Sequence, residues 1–106
     1  MREEQLLNYL KNACPGKKRR VSGAELKRTL HISGTDLCKL VHRLRCKGVP
    51  VASDRHGYFY AVTAGEIYAT IRILRKMVEG LLRAIKGLEK ALDAFGPKEP
   101  DGGDGL

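Results

Sequence analysis

The 106-residue sequence is poor in several features that would assign it to a familiar class. It has no tryptophan, only four Tyr and two Phe. No apolar run reaches the roughly 18 residues that indicate a transmembrane helix. The first residues, Met-Arg-Glu-Glu, contain no hydrophobic signal region. We therefore expect a cytoplasmic protein that does not bind a membrane.

The three cysteines, Cys14, Cys38 and Cys46, are odd in number and form no Cys-x-x-Cys pair. This usage favours reduced thiols over a disulfide scaffold. Cys38, His42 and Cys46 follow one another at intervals of four, so a metal site completed by His56 or Cys14 is one alternative. Redox sensing by Cys46 is another. Metal sites usually have tighter spacing, and we predict no metal and no cofactor.

Catalytic motifs are also missing from the sequence. It has no Gly-rich phosphate loop, no nucleophile motif and no pair of carboxylates in a setting that suggests a cleft. We predict that the protein is not an enzyme.

Positive charge is abundant but confined to the first part of the chain. Residues 1–62 contain thirteen Lys and Arg against five Asp and Glu, whereas residues 63–106 contain seven of each kind. The whole net charge of +8 therefore belongs to the first part. A basic excess in one module indicates a surface that binds a polyanion, most often a nucleic acid.

Apolar spacing and capping residues predict four helices and one β-hairpin. The predicted helices span residues 2–12, 23–30, 34–47 and 63–95. Ser22 and Ser33 are the expected N-caps of the second and third helices, and Thr63 that of the fourth. The predicted strands span residues 49–53 and 57–62, with Val21 as an additional strand of one or two residues. The stretch Ser-Asp-Arg-His-Gly-Tyr-Phe-Tyr at 53–60 forms the hairpin tip and the aromatic strand behind it.

The third helix has two contrasting faces. Its apolar side chains recur at helical spacing and predict a buried stripe of Leu37, Leu40, Val41 and Leu44. The opposite side carries polar or reactive side chains, namely Thr35, Lys39, His42, Arg43 and Cys46. A hydrated polar face is the simplest interpretation of this pattern. A surface that contacts bases or phosphates is the alternative that we favour.

The predicted order of elements is helix, short strand, helix, turn, helix and hairpin, which is the order of a winged helix-turn-helix. In that fold the third helix enters the major groove of DNA. The hairpin, or wing (residues 53–58), then contacts the flanking backbone or the minor groove. A solvated loop at 17–20 would add phosphate contacts. The predicted DNA contacts are Lys17, Lys18, Arg19, Arg20, Ser33, Thr35, Lys39, His42, Arg43, Arg55 and His56.

Residues 22–60 resemble the winged-helix module at the N-terminus of biotin repressors. The shared run comprises a Ser-capped second helix, a Leu-x-Ile-Ser turn at 30–33, spaced Leu and Val, Gly-Val-Pro-Val at 48–51 and Gly-Tyr at 57–58. The chain is also similar to small prophage-encoded proteins whose wing ends in Gly-Tyr-Phe-Tyr-Ala. The resemblance implies DNA binding and transcriptional control in a bacterium or phage. It implies nothing about biotin, because no ligase domain follows.

The fourth helix carries a heptad repeat. Position a holds Ile71, Val78, Ile85 and Leu92, and position d holds Ile67, Leu74, Leu81, Leu88 and Phe95. β-Branched residues at a with Leu at d favour a parallel two-stranded coiled coil. We therefore predict self-association through Ile67, Ile71, Leu74, Val78, Leu81, Ile85, Leu88 and Leu92.

The flanks of the heptad stripe leave other assemblies open. Leu82 at position e and Met77 at position g are too apolar for a simple zipper. Gly80 and Gly87, seven residues apart, each cost about 1 kcal/mol of helix propensity and would allow close backbone approach. An antiparallel pair or a four-helix assembly is therefore an alternative.

Together these patterns predict a mainly α fold with a small β-hairpin wing: a winged helix-turn-helix domain (1–62), a coiled-coil-like oligomerisation helix (63–95) and a disordered tail (96–106). The expected function is that of a homodimeric transcriptional regulator, which binds double-stranded DNA at an inverted repeat. The alternative is an oligomeric assembly or replication accessory protein of a phage or bacterium. In that alternative the winged helix binds protein or non-specific DNA.

Overall fold

The computed structural model describes residues 2–95. The helices are α1 (Arg2–Ala13), α2 (Gly23–Leu30), α3 (Gly34–Cys46) and α4 (Ala64–Leu92), and the strands are β1 (Val51–Asp54) and β2 (Gly57–Tyr60). Single 3-10 turns occur at Lys17–Arg19 and Asp93–Phe95. The protein is thus mainly helical with a two-stranded antiparallel wing, as predicted. The predicted tail, residues 96–106, lies outside the described residues.

The chain divides into two compact units, one ending at Ile73 and the other beginning at Leu74. The division falls inside α4, so the first turns of that helix belong to the first unit.

The hydrophobic core lies in the first unit. Helices α1, α2 and α3 each bury their apolar stripe, and the hairpin covers it with one face. The core side chains are Leu6, Leu10, Cys14, Val21, Leu26, Ile32, Leu37, Leu40, Val41, Leu44, Val51, Ala52, Phe59 and Ala61. The predicted stripe of α3 is therefore confirmed as core.

Side-chain caps fix the starts of α2 and α3. Ser22 Oγ accepts a hydrogen bond from the Glu25 N–H at 3.1 Å, and Ser33 Oγ accepts one from the Asp36 N–H at 3.1 Å. Both satisfy a backbone donor that the first helical turn leaves without a partner. Between the two helices His31 adopts the left-handed conformation, with φ of 55°, and ends α2. These caps set the short turn that separates α2 from α3.

The hairpin is tight and has a defined register. Val51 lies opposite Tyr60 and Asp54 opposite Gly57, so the turn consists of Arg55 and His56. Asp54 Oδ1 accepts hydrogen bonds from the N–H groups of His56 (2.8 Å) and Gly57 (3.1 Å). The strands are shorter than predicted.

A third segment pairs with the outer edge of β2. Val21 exchanges two backbone hydrogen bonds of 2.8 Å with Tyr58, which confirms the predicted short strand. The approach is close enough that a Cβ on Gly57 would collide with the backbone carbonyl of Val21. Of the three consecutive aromatics, Phe59 enters the core while Tyr58 and Tyr60 are half-buried beside it. The aromatic strand thus anchors the wing.

The first part of α4 is fastened to β1 by a buried hydroxyl. Thr70 Oγ1 lies 3.2 Å from the Ser53 N–H, which donates to it, and 3.2 Å from the Glu66 carbonyl. Thr70 is the one buried polar side chain among the described residues. The hydrogen bonds offset the cost of burying it.

Candidate nucleic-acid interface

Helix α3 presents one continuous polar face to solvent. Thr35, Lys39, His42 and Arg43 are all exposed, on the side opposite the core stripe. A helix needs both properties to enter a groove: an apolar side that holds it on the body of the domain and a polar side free of the body. Four of the predicted contact residues thus lie together on one accessible surface.

The N-terminal end of α3 gathers further charged side chains. Ser33, predicted to contact DNA, is exposed but its hydroxyl already caps the helix. An Arg2 Nη1 lies 3.6 Å from the Asp36 carboxylate, and Arg2 lines a shallow groove with Lys39 and Arg43. Lys27 lies beside Gly34, its Cδ 3.7 Å from where a Cβ of that glycine would stand. Two basic residues that the sequence reasoning missed therefore flank this end of α3.

The loop before α2 is only partly available for contacts. Lys17, Lys18 and Arg19 form the 3-10 turn and are exposed. The Arg20 guanidinium instead donates to Asp54 Oδ2 at 3.1 Å, with side chains 31% and 22% exposed. Arg20 is thus engaged in an ion pair that ties the loop to the wing.

The turn of the wing carries the other predicted contacts. Arg55 and His56 are exposed at the hairpin tip and line a groove together with Lys17 and Arg20. Burial opposes ionisation of Asp54, but hydrogen bonds from the backbone of His56 and Gly57 and the charge of Arg20 hold its pKa below the usual value. The ionised carboxylate therefore shapes the tip, and the structure brings the loop and wing residues to one surface.

Arg45 supports the wing from α3. It is half-buried, and its guanidinium donates to the Val51 carbonyl at 2.8 Å and to Ser53 Oγ at 3.0 Å. Burial lowers the pKa of Arg45. Sequence reasoning missed this role, although Arg45 follows the buried Val41 by four residues. That spacing placed it on the inner side of the helix.

Glu66 joins the basic loop to the start of α4. Its carboxylate accepts hydrogen bonds from the backbone N–H groups of Val62 (2.8 Å) and Lys17 (3.0 Å). These bonds lower the pKa of Glu66. Thr63 caps α4 as predicted, because its Oγ1 accepts from the Glu66 N–H at 3.1 Å. The loop that carries Lys17 is therefore held in place from behind.

The cysteines do not assemble a metal centre in the part of the chain that the structure describes. Cys46 Sγ lies 3.5 Å from His42 Nε2, but within residues 2–95 no group of three or more His, Cys, Asp or Glu could hold an ion. Cys14 is buried in the core, where desolvation raises the pKa of its thiol. Cys38 and Cys46 are exposed.

The predicted oligomerisation residues lie on α4 in two settings. Ile71 and Leu74 are half-buried and Ile67 is 39% exposed. Beyond them the apolar stripe is open to solvent, with Leu81 65% and Leu88 70% exposed. The exposed members of the predicted set there are Val78, Leu81, Ile85, Leu88 and Leu92.

Between residues 2 and 95 no helix is both long and apolar enough to cross a membrane. No family model, curated protein or solved structure matches the chain.

Proposed function

We propose that the protein is a sequence-specific double-stranded DNA-binding protein that acts as a homodimeric transcriptional regulator. The observation that carries this proposal is the exposed polar face of α3, held on a packed helical body by four buried side chains. In this proposal α3 lies in the major groove and the wing contacts the flanking backbone or minor groove.

The exposed side chains of α3 are proposed to have two roles: long donors that reach bases or phosphates, and shorter side chains that complete the surface facing the bases. Lys39 and Arg43, one turn apart, are long donors that can reach a guanine edge or a phosphate. Thr35 near the helix start and His42 complete the surface that faces the bases. The N-terminal position of Thr35 suits base contact, since the first turns of a recognition helix lie deepest in the groove.

Contacts outside α3 would supply affinity more than specificity. Lys17, Lys18 and Arg19 can neutralise phosphates, and each such contact steepens the salt dependence of binding. Arg55 and His56 at the wing tip are placed to contact the adjacent strand or the minor groove. Arg20 and Arg45 act indirectly in this proposal, because their guanidinium groups hold the wing.

Self-association is part of the proposal because the stripe of α4 from Val78 onward is exposed in a single chain. Leaving a large apolar side chain in water forgoes about 1.5–3 kcal/mol. Two copies related by a two-fold axis would present two α3 helices to DNA. Such a dimer requires an inverted repeat whose half-sites lie about 10 base pairs apart or a multiple of that.

The test is a selection from random duplex DNA at about 150 mM salt. The wild type is expected to enrich one inverted repeat, and Lys39→Ala/Arg43→Ala is expected to lose it. Lys86→Ala/Lys90→Ala is the matched control, since it removes the same charge from the exposed side of α4. The control should retain the site.

Absence of an enriched site, with Lys39→Ala/Arg43→Ala binding as the wild type does, would overturn the proposal. Uniform binding with a steep salt dependence would instead favour the oligomeric assembly or replication accessory role.

A further inference from the structure

The second unit begins at Leu74 and carries an exposed apolar face. From Met77 to Leu92 every large apolar side chain of α4 is at least half exposed. An amphipathic helix of this kind needs an apolar partner surface to be stable in water. The identity of the partner can be argued from the order of residues along the helix.

We propose that the partner is α4 of a second copy, packed antiparallel with Leu81 of each copy facing Ile85 of the other. This proposal deepens the proposed function and depends on its homodimer, because it specifies the orientation and register of the pair. Three kinds of complementarity within Leu74–Leu92 support this pairing.

The first is the match of the large apolar residues. In an antiparallel coiled coil each a position faces a d position of the partner. In this register Leu74 faces Leu92, Val78 faces Leu88 and Leu81 faces Ile85. Each large residue at a or d between Leu74 and Leu92 meets another in this register, as it also would in a parallel pair, so the flanking e and g positions decide the orientation.

The second is charge. The e positions of an antiparallel pair face each other, so Arg75 lies opposite Glu89 of the second copy, twice in the dimer. Leu82 also occupies an e position, where a parallel zipper usually has a charged residue. In this register it lies opposite Leu82 of the second copy at the two-fold axis. In a parallel pair g faces e instead, and Glu89 would then lie opposite Ala84 with no charged partner.

The third is size at the g positions. Met77 lies opposite Ala91 of the second copy, so a long side chain meets a short one. Ala84 meets Ala84 at the two-fold axis. Small residues on this flank allow the two backbones to approach closely, and the flexible Met fills the space over Ala91.

Coupling between Arg75 and Glu89 can arise only between copies. The two residues are fourteen positions apart on one helix, which is about 21 Å at 1.5 Å per residue. Direct ion pairing within one chain is therefore excluded, and any specific interaction between them reports the pairing of two chains.

The experiment uses charge reversal in the full chain, with sedimentation and native mass spectrometry as readouts. Arg75→Glu and Glu89→Arg each create two like-charge pairs in their homodimers, and each is expected to raise the dimer dissociation constant about tenfold. A mixture of the two variants should form heterodimers preferentially, because both pairs become attractive there. Lys76→Glu and Glu79→Arg are the matched controls on the outer face, and their mixture should show no such preference.

The relative orientation of the two α4 helices is determined independently, by replacing Leu82 with a photo-crosslinking benzophenone amino acid and locating the crosslinked residues. Crosslinks to the region of Leu82 in the second copy are expected. Crosslinks to Met77 would indicate a parallel pair and overturn this inference while leaving the homodimeric regulator intact. A chain that stays monomeric at all concentrations would overturn the homodimer itself. The DNA-binding part of the proposed function is tested by a separate measurement, the comparison of DNA binding by the wild type and by Lys39→Ala/Arg43→Ala.

Discussion

The two units of this chain place their leucines in opposite environments. In the first, Leu6, Leu10 and Leu26 are 0% exposed and packed by three helices and a hairpin. In the second, Leu81 and Leu88 are 65% and 70% exposed on a single helix. The same residue type thus serves a core that one chain completes and a surface that one chain leaves open. A heptad pattern therefore indicates a partner helix only where its apolar side chains are not already buried in the core of the same chain.

Charge follows the same division. The net positive charge belongs to residues 1–62, whereas the remainder of the chain is balanced. Helix α4 itself carries six Lys and Arg against three Glu, a net charge of +3, and residues 93–106 offset it with a net charge of −3. The first module, with its larger basic excess, is the part suited to approach a polyanion. Packing therefore separates the proposed self-association from the proposed DNA contact more sharply than charge does.

The first prediction tests the difference between the two units with the substitutions Leu26→Ala and Leu88→Ala. Truncating a fully buried leucine costs about 2–5 kcal/mol of unfolding free energy, so Leu26→Ala should destabilise the first unit strongly. Leu88→Ala should leave that unit unchanged and weaken the dimer. Urea denaturation followed by circular dichroism over a range of protein concentrations separates the two effects. A concentration-dependent loss for Leu26→Ala, or none for Leu88→Ala, would contradict the assignment.

The sequence predicted the first unit well because its signals are local. Ser22 and Ser33 cap helices at the predicted places, and the stripe of α3 is buried as its spacing indicated. Helix ends and strand lengths were less accurate. The predicted fourth helix ran to Phe95, whereas α4 ends at Leu92 and a 3-10 turn follows.

The candidate site was less predictable because its supporting contacts join residues far apart in sequence. Arg20 was predicted to contact phosphate together with Lys17, Lys18 and Arg19. In the structure its guanidinium instead pairs with Asp54, 34 positions further along the chain. Thr70 reaches Ser53 across 17 positions. No periodicity encodes such contacts, since they depend on how the hairpin folds against the loop and α4.

A second prediction contrasts two residues of α3, one that supports the wing and one that faces solvent. Arg45→Met keeps the apolar stem but removes hydrogen bonds to Val51 and Ser53, so it should cost about 1–3 kcal/mol of stability. Hydrogen exchange of the wing amides should accelerate. Arg43→Met should leave stability and wing exchange unchanged while weakening DNA binding. Equal exchange rates in both variants would show that Arg45 does not hold the wing.

A third prediction concerns the glycines of α4. A Cβ added at Gly80 or Gly87 would meet nothing within 4 Å. Both occupy position c, which points away from the seam of a two-stranded antiparallel pair. Because glycine costs about 1 kcal/mol relative to alanine inside a helix, Gly80→Ala/Gly87→Ala should raise the thermal stability of α4 and leave the dimer dissociation constant unchanged or lower.

Gly57→Ala is the contrasting control for these two substitutions, because its Cβ would collide with the Val21 carbonyl and should destabilise the first unit. Circular dichroism melts and sedimentation measure both outcomes. Weaker assembly of Gly80→Ala/Gly87→Ala would mean that the glycine face lies close against another helix. That result would favour a four-helix assembly over the two-stranded pair, since position c lies outside the seam of a two-stranded coil.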